Sequence, residues 1–283
     1  MLLACRTPSK SRARRRARKG DRMSSATIVI PAATPPARPV SLGGVFSLAY
    51  GLLAYASFLA AFSYAIGFIG NWVVPKSIDS GATGPIAMSL LINAALLGVF
   101  VVQHTIMARP GFKRAWTRII PEPIERSTFV LLASAALGLL FWQWRPLPQT
   151  VWRVAGAAGA LLSALSLAGY AVVFVASCTI SHLDLFGVRQ TWLRFREQTY
   201  RPVGFRLAGL YRVVRHPLMA GFLLGFWATP TMSLGHLFFA IMTTAYIRFG
   251  TWIEERDLIT AHGEQYREYK RRVAGLLPLP RRG

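Results

Sequence analysis

Long stretches without a charged residue alternate along the chain with short segments that are rich in arginine. The uncharged stretches cover residues 42–75, 80–108, 127–144, 154–181 and 216–247. Each reaches or exceeds the roughly 18 apolar residues that an α-helix needs to cross the hydrocarbon core of a bilayer. The pattern predicts an all-α polytopic membrane bundle whose first four spans are roughly residues 43–70, 85–107, 127–144 and 152–176.

The fifth stretch is too long for one ordinary span and is interrupted at Pro230. If it crossed the bilayer once, the eight lysines and arginines of residues 248–283 would lie opposite the other basic segments. We therefore predict a helical hairpin that returns to the side where it started. Its first arm, residues 217–229, would be only about 20 Å long, shorter than the ~30 Å hydrocarbon core, so the residues before it would lie recessed in a pocket.

The positive charge is concentrated between the apolar stretches. Of the 33 lysines and arginines, ten lie in residues 1–42, five in 108–126, seven in 177–215 and eight in 248–283, and these segments would all face one side. Cytoplasmic segments of membrane proteins carry such an excess of lysine and arginine. The net charge of +22 therefore indicates a multi-pass protein of the cell membrane with both termini cytoplasmic, and it points to the lipid bilayer rather than nucleic acid as the partner.

Composition divides the chain into three regions. Residues 1–42 are basic and proline-rich, and they are predicted to be a disordered tail. A nucleic-acid-binding arm, or a true start at Met23, are the alternatives for this tail. Residues 43–176 are predicted to form the four-helix transmembrane part. Residues 177–283 are predicted to hold a cytoplasm-facing loop, the helical hairpin and a C-terminal cofactor-binding region, with amphipathic helices that face the cytoplasm. The two cysteines have neither disulfide nor metal-site spacing.

The sequence Arg215-His216-Pro217 opens the fifth stretch. Proline at a first helical position loses no hydrogen bond, because its missing N–H would be unpaired there, so a helix is predicted to begin at Pro217. His216 would then lie at the positive end of that helix with Arg215 beside it. This combination favours an anionic group such as a carboxylate.

Two carboxylates, Glu254 and Glu255, stand where the second arm of the hairpin leaves the bilayer. Acidic residues are unusual beside a negatively charged leaflet unless something cationic meets them. Local pairing with Arg248 or Arg256 is one explanation. The hairpin offers another, because it returns the carboxylates to the side of the arginine-histidine pair, so that all of them could share one pocket.

Such a pocket suits S-adenosylmethionine, which presents an amino-acid end, a ribose diol and a sulfonium. A cation at a helix start can bind the ligand's carboxylate, carboxylates can accept hydrogen bonds from the diol, and aromatic faces can stabilise the sulfonium. The aromatic candidates are Tyr211, Trp227, Tyr246 and Trp252. No Gly-x-Gly-x-x-Gly follows a predicted strand, which argues against a Rossmann-type methyltransferase.

The motifs Val214-Arg-His-Pro-x-x-x-Gly221 and Glu254-Glu-Arg-Asp-Leu258, followed by Gly263-x-x-Tyr-x-x-Tyr269, resemble those of the isoprenylcysteine carboxyl methyltransferase superfamily of membrane enzymes. Further segments resemble its NnrU-like branch, which contains bacterial methanethiol S-methyltransferase. They are Gln103-His104-Thr-x-Met-Ala-Arg109-Pro, Glu125-Arg-Ser127, Asp184-Leu-Phe-Gly-x-Arg-Gln190 and Phe226-Trp-Ala-Thr-Pro230. The resemblance implies transfer of a methyl group from S-adenosylmethionine to methanethiol, giving dimethyl sulfide. We infer no metal site and no obligate protein partner from the sequence.

The resemblance also implies where the cofactor binds. Carried onto this sequence, the cofactor site falls on Arg215, His216, Pro217, Gly221, Glu254 and Glu255. One position departs from the carboxyl methyltransferases, which usually have tyrosine where this chain has Met219. The departure agrees with a small acceptor rather than a prenylated one.

Three residues are candidates for activating a thiol. A thiol with a pKa of about 8.5 or higher is mostly protonated at neutral pH, and lowering it by one unit is worth about 1.4 kcal/mol. Arg215 could lower that pKa by its charge, and His104 or His182 could take the proton. The sequence leaves the choice open.

Two other functions remain at this stage. The same scaffold could methylate a lipid amine or a prenylcysteine carboxylate. A non-enzymatic haem- or quinone-binding membrane protein is an alternative of another class, because four histidines lie at or within the predicted bilayer: His104, His182, His216 and His236.

Overall fold

The computed structural model describes residues 41–203 and 208–278. The predicted disordered tail therefore lies outside the described residues, apart from Ser41 and Leu42. Ser41 caps the first helix, because its side chain accepts a hydrogen bond from the Gly44 N–H at 3.1 Å. A serine in this place satisfies one of the N–H groups that every helix start leaves unpaired.

Within the described residues, four helices are long and apolar enough to cross a membrane, judged by length and composition. They are α1 (Leu42–Gly70), α2 (Ile86–Met107), α4 (Glu122–Gln143) and α5 (Gly156–Ile180), and the short helix α3 (Pro110–Trp116) stands between α2 and α4. Large apolar side chains remain exposed on their outer faces, including Leu53 on α1 and Leu91 on α2. The predicted all-α polytopic bundle and its four spans are confirmed.

Two helix starts differ from the prediction. Helix α4 begins at Glu122, five residues before the predicted start, because Pro123 occupies its first turn and Glu125 forms an ion pair with Lys113 of α3 at 3.5 Å. Helix α5 begins later than predicted, at Gly156, because residues 150–153 form a strand.

A two-stranded antiparallel ribbon joins the α4–α5 connection to the bend of the hairpin. Strand β1 (Thr150–Arg153) pairs with β2 (Thr231–Ser233), with Trp152 opposite Met232. The indole N–H of Trp152 also donates to the Thr229 carbonyl at 3.2 Å. The ribbon therefore provides hydrogen-bond partners for backbone groups beside Pro230, where the first arm of the hairpin ends.

The hairpin has a short arm and a long arm. Helix α8 (Pro217–Trp227) is followed by the ribbon strand and then by α9 (Leu234–His262), and the two helices pack against each other. Helix α8 also lies very close to α5. A Cβ placed on Gly169 of α5 would come within 2.6 Å of the Gly221 carbonyl oxygen and the Gly225 amide nitrogen, so these glycines permit the approach.

The remaining short helices lie on the side where α8 begins and α9 ends. Helices α6 (His182–Leu185) and α7 (Val188–Phe195) follow α5, and α7 packs on α1 and α4. A single 3₁₀ turn (Gly209–Arg212) precedes α8. Helix α10 (Glu264–Arg272) follows α9, and after it the backbone of Ala274 forms a parallel bridge with Val214.

Candidate active site

Glu255 of α9 is the centre of a buried charged cluster. Its Oε1 accepts from Arg215 Nε at 2.8 Å, lies 2.7 Å from Arg215 Nη2, and is 3.2 Å from His216 Nε2. Its Oε2 forms an ion pair with Lys270 of α10 at 2.7 Å. The carboxylate therefore joins the start of α8 to the end of the chain.

The guanidinium of Arg215 binds several acceptors at once. Besides Glu255, it donates from Nη1 to the Lys270 carbonyl at 3.2 Å and to the Val273 carbonyl. The side chain is only 6% exposed. Buried arginine with several well-placed acceptors fixes geometry strongly, because guanidinium is planar and its donors point in set directions.

His216 is the N-cap residue of α8, and Pro217 follows at the first helical position as predicted. The His216 backbone N–H donates to the Gly275 carbonyl at 3.1 Å, and its Nδ1 lies 3.7 Å from Glu254 Oε2. Each carboxylate thus faces the histidine from one side. The two segments that the sequence separates by about forty residues lie in direct contact.

Local pairing with Arg248 or Arg256 does not explain Glu255, because the partners of Glu255 come from the start of α8 and from α10. Arg256 instead places its guanidinium over the Trp252 ring, 4.8 Å from the ring centroid. Trp252 is more than half exposed. This aromatic candidate therefore faces outward rather than toward the charged cluster.

Glu255 is ionised at neutral pH. Burial opposes ionisation of the carboxyl, but hydrogen bonds from His216, Lys270 and Arg215 outweigh it and hold the pKa of Glu255 below its usual range. Glu255 lies beyond the apolar arm of α9, so water can reach the edge of this cluster.

Three tyrosines surround the cluster. The Tyr269 hydroxyl donates to the Tyr211 carbonyl at 2.7 Å and so fixes the turn before α8. Burial raises the pKa of Tyr269 to about 12 and also raises the pKa values of Tyr211 and Tyr266, so all three hydroxyls stay protonated. Of the four predicted aromatic residues, Tyr211 is therefore the one placed beside the cluster.

The other predicted residues lie elsewhere. Trp227 stands at the far end of α8, where its indole N–H donates to Thr244 Oγ1 at 2.9 Å. Gly221 faces α5, where its added Cβ would meet the Gly169 carbonyl oxygen at 2.6 Å. Tyr246 lies earlier on α9 and packs against His104, with ring centroids 6.5 Å apart.

The two histidines proposed as bases have different surroundings. His182 has a partner at each ring nitrogen, Ser177 Oγ at 2.8 Å from Nδ1 and Tyr55 Oη at 2.9 Å from Nε2. His104 of α2 stacks on Phe100, with centroids 5.2 Å apart, and packs on Phe129 of α4 at 4.9 Å. Its Nδ1 is buried and has no hydrogen-bond partner within residues 41–203 and 208–278.

A haem with two axial histidines, for which His216 and His236 on the two arms of the hairpin are the candidates, requires that both face one ring. His216 contacts Glu255, whereas His236 lies nineteen residues earlier on α9, about 28 Å away along the helix axis. His236 is also bound to the Phe226 carbonyl at 2.8 Å. These two histidines cannot ligate one haem. In the described part of the chain, no group of three or more His, Cys, Asp or Glu residues could hold a metal ion.

Sequence reasoning missed the contribution of the C-terminal segment. The Lys270 side chain contacts Glu255, and Arg215 and His216 donate to the carbonyls of Lys270, Val273, Ala274 and Gly275. Lys270 could have been suspected from its place among the basic residues that end α10. Backbone carbonyls carry no sequence signal, so their part in the cluster could not be read from residue types.

The residues of this cluster lie in a part of the sequence that is similar to a known protein family. The family model described as NnrU protein matches residues 91–256, a range that includes the arginine-histidine pair and both glutamates. The chain belongs to the NnrU family. No solved structure matches it significantly.

Relatives of this NnrU-family chain carry an enzyme name. Methanethiol S-methyltransferase of Mycobacterium tuberculosis is 52% identical over 237 residues, which cover 83% of this chain and 97% of the relative. Methanethiol S-methyltransferase 2 of Bradyrhizobium diazoefficiens is 49% identical over 82% of this chain and 89% of its own. Nurim of Mus musculus is a more distant relative, 26% identical over 61% of this chain and 69% of its own.

Proposed function

We propose that this NnrU-family protein is a membrane methyltransferase that transfers a methyl group from S-adenosylmethionine to methanethiol, giving dimethyl sulfide. The observation that carries the proposal is the 52% identity, over nearly the full length of the relative, to a protein named methanethiol S-methyltransferase. The buried cluster around Glu255 supports it, because it provides the kinds of group that this donor requires.

The residues of the cluster fit the donor chemically. The first turn of α8 has unpaired N–H groups and the positive end of the helix dipole, which suit the donor's carboxylate. Glu254 is buried beside His216 and has carboxylate oxygens of the type that ribose hydroxyls bind. Arg215 holds Glu255 in place through two contacts, so we assign it a positioning role rather than direct contact with the thiol.

The bound donor would supply a methyl group already activated by its sulfonium. The chain must then orient the acceptor in line with that methyl group and exclude water. Pro217 and the capping residue His216 fix the start of α8, and α10 with the residues after it covers the cluster from the cytoplasmic direction that we propose. The four apolar helices anchor the site in a membrane, where a small apolar thiol partitions.

The donor site is tested by replacing His216. We expect His216→Ala to abolish S-adenosylmethionine binding, because the change removes the side chain that contacts both carboxylates. Isothermal titration calorimetry on the full chain in detergent measures this. The matched control is His182→Gln, on the α1 side, which should bind the donor like wild type. Unchanged affinity in His216→Ala would contradict the assignment.

The acceptor is tested by product analysis. Cells that express the protein and are fed methanethiol should release dimethyl sulfide, which headspace gas chromatography detects. Purified protein offered prenylcysteine or phosphatidylethanolamine with labelled donor should transfer no label. Transfer to either of these, with no dimethyl sulfide formed, would replace the thiol by a lipid-linked acceptor.

A further inference from the structure

An unpaired imidazole nitrogen lies between three helices of the bundle. His104 stands near the end of α2 and contacts aromatic rings from α2, α4 and α9: Phe100, Phe129 and Tyr246. Its Nδ1 and the neighbouring Gln103 Oε1 are both buried without a hydrogen-bond partner in the part of the chain that the structure describes. Buried polar groups nearly always have partners, and ionisable residues inside a membrane usually serve a function.

One face of α9 connects this histidine to the charged cluster. Tyr246, Gly250 and Glu254 follow one another at intervals of four residues, so they lie along one side of the helix. Tyr246 contacts His104, and Glu254 contacts His216. The row therefore leads from the unpaired imidazole to the proposed donor site in about two helical turns.

Gly250, in the middle of this row, faces open space. A Cβ added there would meet no described heavy atom within 4 Å. Helices α2 and α9 are nevertheless held together on either side of it. Thr105 Oγ1 approaches the Tyr246 hydroxyl at 3.5 Å on one side, and Arg109 forms an ion pair with Asp257 at 3.1 Å on the other. Glycine is unfavourable inside a helix, so its presence here has a use.

The other two candidates for activating the thiol are occupied. Both ring nitrogens of His182 have hydroxyl partners, and the guanidinium of Arg215 is bound to Glu255 and to two carbonyls. A general base needs a lone pair that the substrate's proton can reach and that no other donor of the protein holds. Among the predicted candidates, the structure shows such a buried, unpaired nitrogen in His104.

We propose that the acceptor thiol binds in the space over Gly250, between α2 and α9, and that His104 Nδ1 takes its proton. The inference rests on the proposed function and assigns the acceptor half of the site. A one-carbon thiol fits a space that the missing side chain of a glycine leaves open, with the ring of Tyr246 one helical turn away. The adjacent carboxylate, Glu254, marks the side from which the methyl group comes.

The reaction balances at these groups. The thiol S–H bond breaks and its proton goes to Nδ1, while the electron pair left on sulfur forms a bond to the methyl carbon. The bond between that carbon and the sulfonium sulfur breaks, and its electron pair stays on the departing sulfur, which becomes a neutral thioether. The positive charge lost at the sulfonium reappears on the imidazolium of His104, so the net charge of the apolar site does not change. Water takes the proton afterwards.

The role of His104 as a base is tested with His104→Gln, with His182→Gln as the matched control. We expect His104→Gln to lower kcat with methanethiol at neutral pH by roughly 100- to 10,000-fold. The loss should diminish as pH rises, and it should be smaller with hydrogen sulfide, a more acidic acceptor that is no larger than methanethiol. Calorimetry should show unchanged S-adenosylmethionine affinity. An equal loss with both acceptors at every pH would contradict the base role.

The acceptor position is tested at Gly250. Gly250→Leu should raise KM for methanethiol and leave donor affinity unchanged, because the side chain fills the proposed space. Gly98→Leu is the matched control, since Gly98 of α2 also has no heavy atom within 4 Å but lies away from the row. Equal effects of the two substitutions on KM would exclude the position.

A measurement that needs no methyl donor separates this inference from the proposed function. In a Cys5→Ser, Cys178→Ser background, the cysteine introduced by Gly250→Cys should react with methyl methanethiosulfonate, which delivers a CH₃S group. Intact-mass spectrometry gives the rate. Adding His104→Gln should slow that reaction, because the thiol loses its base. An unchanged rate overturns the inference even if dimethyl sulfide is formed, whereas absence of donor binding and product in wild type overturns the proposed function.

Discussion

Glu255 accepts contacts from three cationic or hydrogen-bonding side chains on two different elements. Its partners Arg215 and His216 could be anticipated, because the charge distribution required a hairpin and the hairpin returned the glutamates to the start of α8. Lys270 and the carbonyls after it could not be anticipated in the same way. Their approach depends on how α10 turns at Gly263, where the backbone has a positive φ of 57°.

Replacing Glu255 by glutamine tests its electrostatic role. We expect Glu255→Gln to destabilise the protein by about 3–5 kcal/mol at neutral pH, because the change leaves the buried guanidinium of Arg215 without its counter-charge. The folded-state pKa of Glu255 lies below its ordinary value of 4.5. The carboxylate therefore stabilises the fold above that value, and the contribution is lost as pH falls through the folded-state pKa.

Thermal unfolding in detergent at a series of pH values checks this prediction. The difference in stability between wild type and Glu255→Gln should be constant from neutral pH down to about 5 and should shrink below that. A difference that grows on acidification would mean that another group controls the acid transition.

Lys270 offers a test with a close control in the same helix. Lys270→Gln removes the contact to Glu255 Oε2, whereas Arg271→Gln changes an exposed residue that pairs with Glu264. We expect the first variant to weaken S-adenosylmethionine binding and the second to leave it unchanged, because an isolated surface ion pair contributes at most about 1 kcal/mol. Calorimetry compares the two affinities directly. Equal affinities would show that Lys270 does not support the proposed donor site.

At the scale of elements, the contact between α5 and α8 is made by small residues. Ser166 Oγ donates to the Gly225 carbonyl at 2.8 Å, and a Cβ on Gly221 would lie 2.9 Å from the Val173 amide nitrogen. The alanine, glycine and serine residues of α5 indicate that another helix can approach it closely. This composition does not identify α8 as the neighbour. Small residues allow a close approach, but they do not specify which helix makes it.

Gly221→Val is expected to destabilise the protein by about 1–3 kcal/mol, because the added atoms would meet backbone of α5 that cannot move aside easily. Thermal unfolding in detergent measures the change. Gly138→Val on α4 is the control, since its Cβ would meet nothing within 4 Å. If both variants are equally stable, the α5–α8 contact is looser than described.

At the scale of the whole molecule, the apolar stretches predicted the number and order of the spans well. A hydrophobic length and a distribution of charge are local properties, so they can be read from sequence. The β1–β2 ribbon escaped prediction because it pairs residues about eighty positions apart, and both strands are only three or four residues long. Pairing between such short, distant segments leaves no periodic pattern.

The orientation in the membrane is also a property of the whole molecule. We expect reporters fused to either terminus to be active in the cytoplasm, because the basic segments that flank the apolar helices should stay there. Paired fusions of a cytoplasm-active fluorescent protein and a periplasm-active phosphatase measure the location. Phosphatase activity at either terminus would reverse the orientation.

The backbone pairing of Val214 with Ala274 has a practical consequence for anyone handling this protein. The last described residues, up to Pro278, follow directly on a strand-like contact with the start of α8, so this segment is held beside the proposed donor site. A purification tag attached behind this segment would load that contact. Recombinant protein intended for ligand binding should therefore carry its tag at the N-terminus.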